Sequence, residues 1–554
     1  MTNQLATLAV SDEWTSVMSS DNKPELEAIL SAWLHDQRWF GGKARSITRA
    51  SIRESIPIPH ASETALFSLL QVDYRQGDSD LYALPLAFAD AKRAAILRKE
   101  SPGFIICDLT VQRLGQGGVL YSAVANKEFC KSLVDLISER RCLKSATGEI
   151  EAWRTPVLYR VLGDTPLPEP VAGKAEQSNS SVIYGDKFIL KLFRRLEPGL
   201  NPDLEMTQFL TERAFPHAQQ LAGALEFRQP NGDRITLGML NRFVPGAKDA
   251  WAFTLDMLGR YYDRVTTLMA DGHLPPAGEG SQARWIQNDL PTNVSEFVGS
   301  YLDFARLLAE RTAQMHLVLA SETEDEAFAP EQFIPFYMHG LFQSMRSHAR
   351  RNLVLLRQQL KSLPADIAPM AGRVSQLEPQ IISRFRVLSE GRLSALRIRC
   401  HGDFHLGQTL YTGQDFVIID FEGEPALPLS ERRLKQSPLC DVAGMVRSFD
   451  YAAWAGLAEH IKRGHLTRES WPKFQPWLRL WQEAVSAVYL RVYRKAAAKS
   501  DLLPCSDQEF FVMLSAYLMD KAMYEVGYEL NNRPEWLRIP LQGILQLLEL
   551  KMIL

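Results

Sequence analysis

The sequence predicts an α+β protein in which strands and helices are segregated along the chain rather than alternated. Three observations carry this reading. Residues 50–125 run in short alternating apolar and polar stretches between turns, as in TALFSLLQVDYRQ and DLYALPLAF. Residues 251–554 hold long stretches with apolar positions at helical spacing. One strand-rich island, residues 396–421, interrupts that helical half.

The elements follow in chain order. Residues 24–35 (PELEAILSAWLH) have the pattern of a short amphipathic helix. Arg38-Trp39-Phe40-Gly41-Gly42-Lys43 sets an aromatic pair against a glycine turn, which suits a packing corner more readily than a binding site. After the strand-rich unit, residues 127–142 read as helix, and the Pro- and Gly-rich 162–178 as a loop or boundary. Ser181-Val182-Ile183-Tyr184 and Phe188-Ile189-Leu190-Lys191-Leu192-Phe193 flank Gly185-Asp186, the signature of a β-hairpin. A helix over 202–214 starts at Pro202-Asp203. Strands at 224–228 and 234–240 lead into Asn241-Arg242-Phe243, where a hinge would contact a nucleotide base through backbone groups. Helices are expected at 251–270, 297–320, 335–361, 374–389 and 472–498.

Composition narrows the function classes. The 554 residues are 46% hydrophobic and 23% charged, enough apolar material for sizeable cores and too much for a disordered or fibrous chain. Lys+Arg is 62 against 65 Asp+Glu, a net charge of −3, which argues against a nucleic-acid or membrane-surface binder. No apolar run approaches the ~20 residues that span a bilayer. The first residues, MTNQLATLAVSDEW, lack a basic segment followed by an apolar one, so no secretory leader is expected. Six cysteines without a CxxC pair read as reduced thiols, and together these features point to the cytoplasm.

The island carries the chemistry. It reads Ile398-Arg399-Cys400-His401-Gly402-Asp403-Phe404-His405-Leu406-Gly407-Gln408-Thr409, a turn, then Phe416-Val417-Ile418-Ile419-Asp420-Phe421-Glu422. Closing this hairpin brings Asp403 and Asp420 to one edge. Phosphoryl transfer needs such a pair: one carboxylate accepts the proton of the attacking hydroxyl, and another, with an amide oxygen, holds magnesium on the phosphates. The kinase catalytic loop spaces these groups as D-x-x-x-x-N with D-F-G after a short hairpin. Here Gln408 stands five positions after Asp403, and Asp420-Phe421-Glu422 follows. His401 either orients the Asp403 loop during catalysis or simply braces it through the backbone. His405 either reaches the substrate or packs. Glu422 is a further candidate ligand.

A competing reading takes Gly402-Asp403-Phe404-His405 as the G-D-x-H element of metallophosphoesterases, with His401, Asp403 and His405 as metal ligands. The G-N-H element that such a site also needs is missing from the sequence.

A kinase also requires a strand lysine for the α/β-phosphates and a helical Glu to hold it. Lys191 is a charge inside an apolar strand and so implies a partner. Glu205, on the next helix, is the candidate. The alternative is a lysine on the solvent face of an edge strand. Ser178, Asn179 and Ser180 stand where a phosphate-covering loop would lie. Asp441 opens a helix after the metal-binding segment and is expected to pin the catalytic loop; His316 reads as a satisfied core histidine.

With these residues in hand, the chain resembles the bacterial maltokinases, relatives of the aminoglycoside phosphotransferases and protein kinases that occur alone or fused to trehalose synthase. The resemblance runs through Arg38-Trp39-Phe40-Gly41-Gly42-Lys43, Lys191-Leu192-Phe193-Arg194-Arg195, the island, Ser437-Pro438-Leu439-Cys440-Asp441 and Tyr528-Glu529-Leu530-Asn531-Asn532-Arg533-Pro534. Gln408 in place of Asn is the form that family carries. The resemblance implies a two-lobed protein-kinase-like fold: an N-terminal cap over 1–125, a small nucleotide-binding lobe over 126–245 and a helical catalytic and acceptor-binding lobe over 246–554. It implies ATP and Mg2+ as cofactors, maltose as the acceptor, maltose 1-phosphate as product and trehalose synthase as a partner. Related sequences use glucosamine, so the nucleotide motifs leave the acceptor open. For acceptor contacts, Lys521, Tyr524, Glu525 and Tyr528 share a helix face by spacing, and the resemblance points to Lys521 and Tyr524 in particular. A surface charge ladder is the other reading of that face. Arg447 and Tyr451 are further acceptor candidates.

Overall fold

The computed structural model describes residues 5–173, 179–275, 282–389, 393–464 and 470–549. The chain divides into two compact units, Met1–Thr211 with Gln219–Pro245, and Glu212–Ala218 with Gly246–Leu554.

The first unit opens with β1 (Thr7–Val10), α1 (Lys23–Asp36) and the long strands β2 (Ile47–His60), β3 (Glu63–Tyr74) and β4 (Asp80–Asp90). Then come α2 (Ala91–Glu100), β5 (Ile105–Val111), β6 (Gln116–Ser122) and α3 (Lys127–Glu139). After these run β7 (Cys142–Lys144), β8 (Glu149–Arg154), α4 (Val157–Leu162), β9 (Pro170–Ala172), β10 (Asn179–Tyr184) and β11 (Phe188–Phe193). The unit closes with β12 (Arg195–Leu196), α5 (Pro202–Glu212), β13 (Leu221–Arg228) and β14 (Arg234–Arg242).

The strands build two seven-stranded sheets. One runs β1-β5-β6-β4-β3-β2, with β12 paired to β4; the other runs β7-β8-β13-β14-β11-β10-β9. The apolar run Ala65–Leu70 in β3 is explained by burial on both faces. Leu66 and Leu70 join a core with Leu26, Leu30 and Leu34 of α1, whereas Ala65, Phe67 and Leu69 join a core with Phe129, Leu133 and Leu190. Gly185, at φ +54, turns the β10–β11 hairpin in the expected place.

Arg38–Lys43 is a packing corner. Phe40 is buried against Tyr82, and a Cβ on Gly42 would sit 2.4 Å from the Tyr74 hydroxyl. The helix α2 was not expected. Asp90 starts it by accepting a hydrogen bond from the Arg93 amide, a capping signal hidden inside the alternating stretch.

The second unit begins with β15 (Lys248–Asp249), α6 (Ala250–Ala270), α7 (Gln282–Gln287), α8 (Thr292–Val298) and α9 (Tyr301–Leu319). It continues with β16 (Glu331–Gln332), α10 (Pro335–Gln359), α11 (Ala368–Ser375), α12 (Glu378–Arg386) and β17 (Leu396–Arg397). The strands β18 (Thr409–Tyr411) and β19 (Phe416–Ile418) precede α13 (Leu429–Arg432), α14 (Leu439–Arg463), α15 (Trp471–Ala497), α16 (Asp507–Asn532) and α17 (Arg538–Glu549). The single helix expected over 374–389 is two, because Pro379 can open a helix but not continue one. Residues 212–218 belong to this unit: the Ile418 amide donates to the His217 carbonyl at 2.7 Å. Among the described residues no helix is long and apolar enough to cross a membrane.

Candidate active site

In the second unit the island forms a small antiparallel sheet, β15-β18-β19. Thr409 pairs with Ile418, and the Ile419 amide donates to the Gln408 carbonyl at 3.0 Å. In that register Gln408 lies opposite Ile419, and Asp420 follows one residue beyond that pair. Arg311 grips the turn by donating two hydrogen bonds to the Asp415 carboxylate, both 2.8 Å. Asp420 itself has φ +68, a left-handed conformation that a non-glycine residue keeps only when its surroundings enforce it. The enforcing contact is near: His401 Nε2 bonds the Ile419 carbonyl at 2.9 Å.

The Asp403 loop has no ladder of its own and is held by side chains. Asp441, only 1% exposed, accepts from the His401 amide at 2.8 Å and the Gly402 amide at 2.9 Å. His316 Nε2 bonds the same carboxylate at 3.0 Å, and its Nδ1 meets the Tyr493 hydroxyl at 2.9 Å. Burial pushes the Asp441 carboxyl up, but His316, His401 and the Gly402 amide outweigh burial and hold it below its ordinary value. Ser448 Oγ accepts from the Leu406 amide. Two glycines permit the packing. A Cβ on Gly402, at φ +83, would press on Gly423 Cα at 3.1 Å, and one on Gly444 would sit 2.5 Å from the Phe404 carbonyl oxygen. Asp441 thus pins the loop as expected, and His316 is a satisfied core histidine that belongs to the same brace.

His401 is buried, and both ring nitrogens serve the backbone: Nε2 the Ile419 carbonyl, Nδ1 the Asp403 amide at 3.4 Å. Of the two roles open to it, the geometry is that of a brace. It also leaves His401 no nitrogen for a metal, which removes the phosphoesterase arrangement. His405 is half-buried, with Nε2 3.8 Å from Asp403 Oδ2 and Nδ1 accepting from the Gly407 amide. Burial pushes its imidazole below the ordinary value, against the pull of Asp403, so the ring is neutral at neutral pH.

Asp403 faces α16. Lys521 donates to Asp403 Oδ1 at 3.1 Å and to Glu424 Oε2 at 3.5 Å, and the Tyr524 hydroxyl donates to Glu424 Oε1 at 2.6 Å. Burial alone would lower the Lys521 pKa; Asp403 and Glu424 outweigh it and keep the ammonium charged. Carboxylate oxygens of Asp420 and Glu422 lie within 4.8 Å of one another. With the Gln408 amide these are hard oxygen donors of the kind magnesium takes.

Two acceptor candidates are committed elsewhere. Arg447, 3% exposed, donates to both Glu525 oxygens and to Asp450 at 2.6 Å, so its guanidinium is consumed by a buried ion cluster. The Tyr451 hydroxyl donates to Glu529 at 3.0 Å and its ring stacks on Trp536. Glu525, read as a possible member of the acceptor face, is the anchor of the Arg447 cluster.

In the first unit Lys191 sits mid-strand in β11, paired on both sides by β10 and β14, so it is not on an edge. Its ammonium donates to Asp203 Oδ2 at 2.7 Å. Asp203 is buried in the first turn of α5, where the Asn201 side chain accepts from its amide at 2.8 Å. Glu205 is buried on the same turn. Asp203 is the site residue the sequence reading passed over; its place beside the helix-opening Pro202 was the available signal. Ser180 is turned to the fold instead of a ligand: its Oγ accepts from Arg194 Nε at 2.7 Å, and that guanidinium lies over the Trp39 ring. Asn179 opens β10, and Ser178 lies outside the described residues.

Comparison with known proteins bears on the fold and on the first part of the chain. Residues 33–125 match the maltokinase N-terminal cap domain. Over the longer chain, a glucosamine kinase of Streptacidiphilus jiangxiensis is 25% identical across 434 residues, covering 77% of this chain and 82% of that protein. A glucosamine kinase of Mycolicibacterium smegmatis (strain ATCC 700084 / mc(2)155) is 22% identical across 279 residues, covering 50% of this chain and 58% of that protein. Among solved structures, a glucosamine kinase in complex with glucosamine, ADP and inorganic phosphate covers 97% of this chain and 100% of its own, with TM-score 0.58 and 19% identity. A second crystal form of glucosamine kinase superposes with TM-score 0.60 and 18% identity. The fold is thus the expected kinase-like α+β fold with an N-terminal cap.

Proposed function

We propose that the protein is an ATP-dependent sugar kinase that transfers the γ-phosphoryl group to the anomeric hydroxyl of maltose, giving ADP and maltose 1-phosphate. One observation carries the reading: the Asp403 carboxylate stands on a tethered loop, 3.1 Å from the Lys521 ammonium, in the unit whose short hairpin carries Gln408 before its first strand and Asp420 after its second. Asp403 takes the proton of the acceptor hydroxyl as the new O–P bond forms and the bond to ADP breaks. Gln408, Asp420 and Glu422 would hold Mg2+, which would supply charge neutralisation on the nucleotide phosphates. Lys191, held by Asp203 with Glu205 buried on the same helical turn, neutralises phosphate oxygens, and the Asn179 segment lies along the nucleotide. Lys521 and Tyr524 orient the acceptor hydroxyl through Asp403 and Glu424, and His405 offers it a neutral ring.

Two observations favour maltose. The cap matches a domain described from maltokinases. The carboxylates nearest the base already hold Lys521, so an ammonium-bearing sugar would compete with a fixed cation, whereas a neutral sugar would not. The runner-up acceptor is glucosamine, favoured by the similarity to the glucosamine kinases of Streptacidiphilus jiangxiensis and Mycolicibacterium smegmatis. On the maltose reading, trehalose synthase is the partner that supplies the acceptor, and the use of ATP puts the reaction in the cytoplasm.

Phosphorus NMR of the protein with ATP, Mg2+ and either sugar tests this. A new anomeric phosphate resonance with maltose is expected. Product with glucosamine alone would replace the acceptor and keep the kinase; no product with either sugar would overturn the reading.

A further inference from the structure

A cleft of about 520 Å3 opens in the second unit where α14, the start of α15 and the start of α17 converge. Its walls are aromatic: Trp454 from α14, Trp471 from α15 and Trp536 from the turn before α17. Trp454 is 5% exposed, and the half-buried Trp471 stacks on it with rings 5.2 Å apart and 25° from parallel. The inner indole is packed in the core and gives the outer one a flat surface to stack on. Trp536 is backed by Tyr451, at 18° between the rings. Charged groups line the same cleft: Glu535, Asp366 and Arg538, the last two joined at 2.7 Å.

Rigid flat aromatic walls edged by carboxylates and a guanidinium match one ligand chemistry well. A pyranose ring presents a face of C–H bonds to an indole and a rim of vicinal hydroxyls to charged side chains. A lipid acyl chain would leave the carboxylates without hydrogen-bond donors. The volume suits about two or three glucosyl rings. Trp454 also lies thirteen residues along α14 from Asp441, ~20 Å at 1.5 Å per residue, so the cleft is apart from the Asp403 loop.

We propose that this cleft is a second carbohydrate site that holds a segment of α-1,4-linked glucan on Trp471 and Trp536. The linkage rests on the maltose reading, whereas the site itself does not depend on turnover. Such a site would keep the enzyme on a polymer of the same sugar that its acceptor is made of.

The test is calorimetric titration of the full chain with maltoheptaose, run beside cellohexaose, with the rate on maltose measured separately. Wild type is expected to bind maltoheptaose at least about tenfold more tightly than cellohexaose. Trp471→Ala should weaken maltoheptaose binding by about tenfold or more and leave the maltose rate within about twofold. Trp471→Phe, which keeps the packing against Trp454, should retain most of the affinity and show that loss in the Ala variant is not unfolding. Absence of maltoheptaose binding by wild type, equal binding of both sugars, or unchanged binding in Trp471→Ala would each overturn the proposal. Binding without turnover on maltose would leave the cleft standing and sink the acceptor assignment.

Discussion

Lys191 and Asp403 are both half-buried charges, and they are held in opposite ways. Lys191 stands in the middle of a strand, where ladders to β10 and β14 fix its backbone before any side chain is considered. Only the direction of its ammonium depends on Asp203. Asp403 stands on a loop whose backbone is fixed by side chains from elsewhere: Asp441, Ser448 and its own neighbour His401. A group carried by a sheet keeps its place when a neighbour is lost. A group carried by tethers loses its place when one tether is cut. The comparison therefore predicts unequal responses to equally small substitutions.

The largest effect falls on the tether. Asp441→Asn leaves His316 and two loop amides without their carboxylate and should cost about 3 kcal/mol of stability, with kcat falling at least about tenfold, read by thermal unfolding and steady-state rates. The sign with pH follows from the lowered pKa. A carboxyl held below 3.8 in the folded state contributes fully above about pH 4, and the contribution is lost as pH falls through the lowered value. The stability gap between wild type and Asp441→Asn should therefore narrow below pH 4.

On the sheet-borne side, Asp203→Asn should raise KM for ATP about tenfold while Tm shifts by only a few degrees. A collapse in Tm instead would mean that Lys191 is tethered like Asp403, and the comparison would fail. Tyr524→Phe removes the hydroxyl bonded to Glu424 and should lower kcat/KM for the sugar about threefold, with KM for ATP unchanged. Tyr451→Phe should change the sugar KM by less than about twofold, because its hydroxyl serves Glu529; a larger loss would return Tyr451 to the acceptor site.

What the sequence disclosed follows the same divide. The island was legible because its candidate residues lie within one short hairpin and the segment before it, and a hairpin register is set by spacing: Thr409 to Ile418 puts Gln408 and Asp420 at the same end of the hairpin without knowledge of the rest of the chain. Asp441 was legible as a pin because an acidic residue opening a helix near a loop has few other uses. Arg447 was not, since the Glu525 that engages it lies 78 residues away on another helix. Asp203 was missed because the first turn of α5 holds two acidic residues, and helix phase alone did not single out the one that meets Lys191. The left-handed backbone of Asp420 left no mark in the sequence, since the carbonyl before it is held by His401 from the loop that precedes the hairpin.

The most direct test of the account is a single-turnover quench of Asp403→Asn beside wild type, with ATP, Mg2+ and maltose, and ATP affinity measured on both. The predicted result is an ATP Kd within about twofold of wild type and phosphoryl transfer slower by about 10²–10⁴-fold. Transfer at the wild-type rate would contradict the assignment of Asp403 as the base.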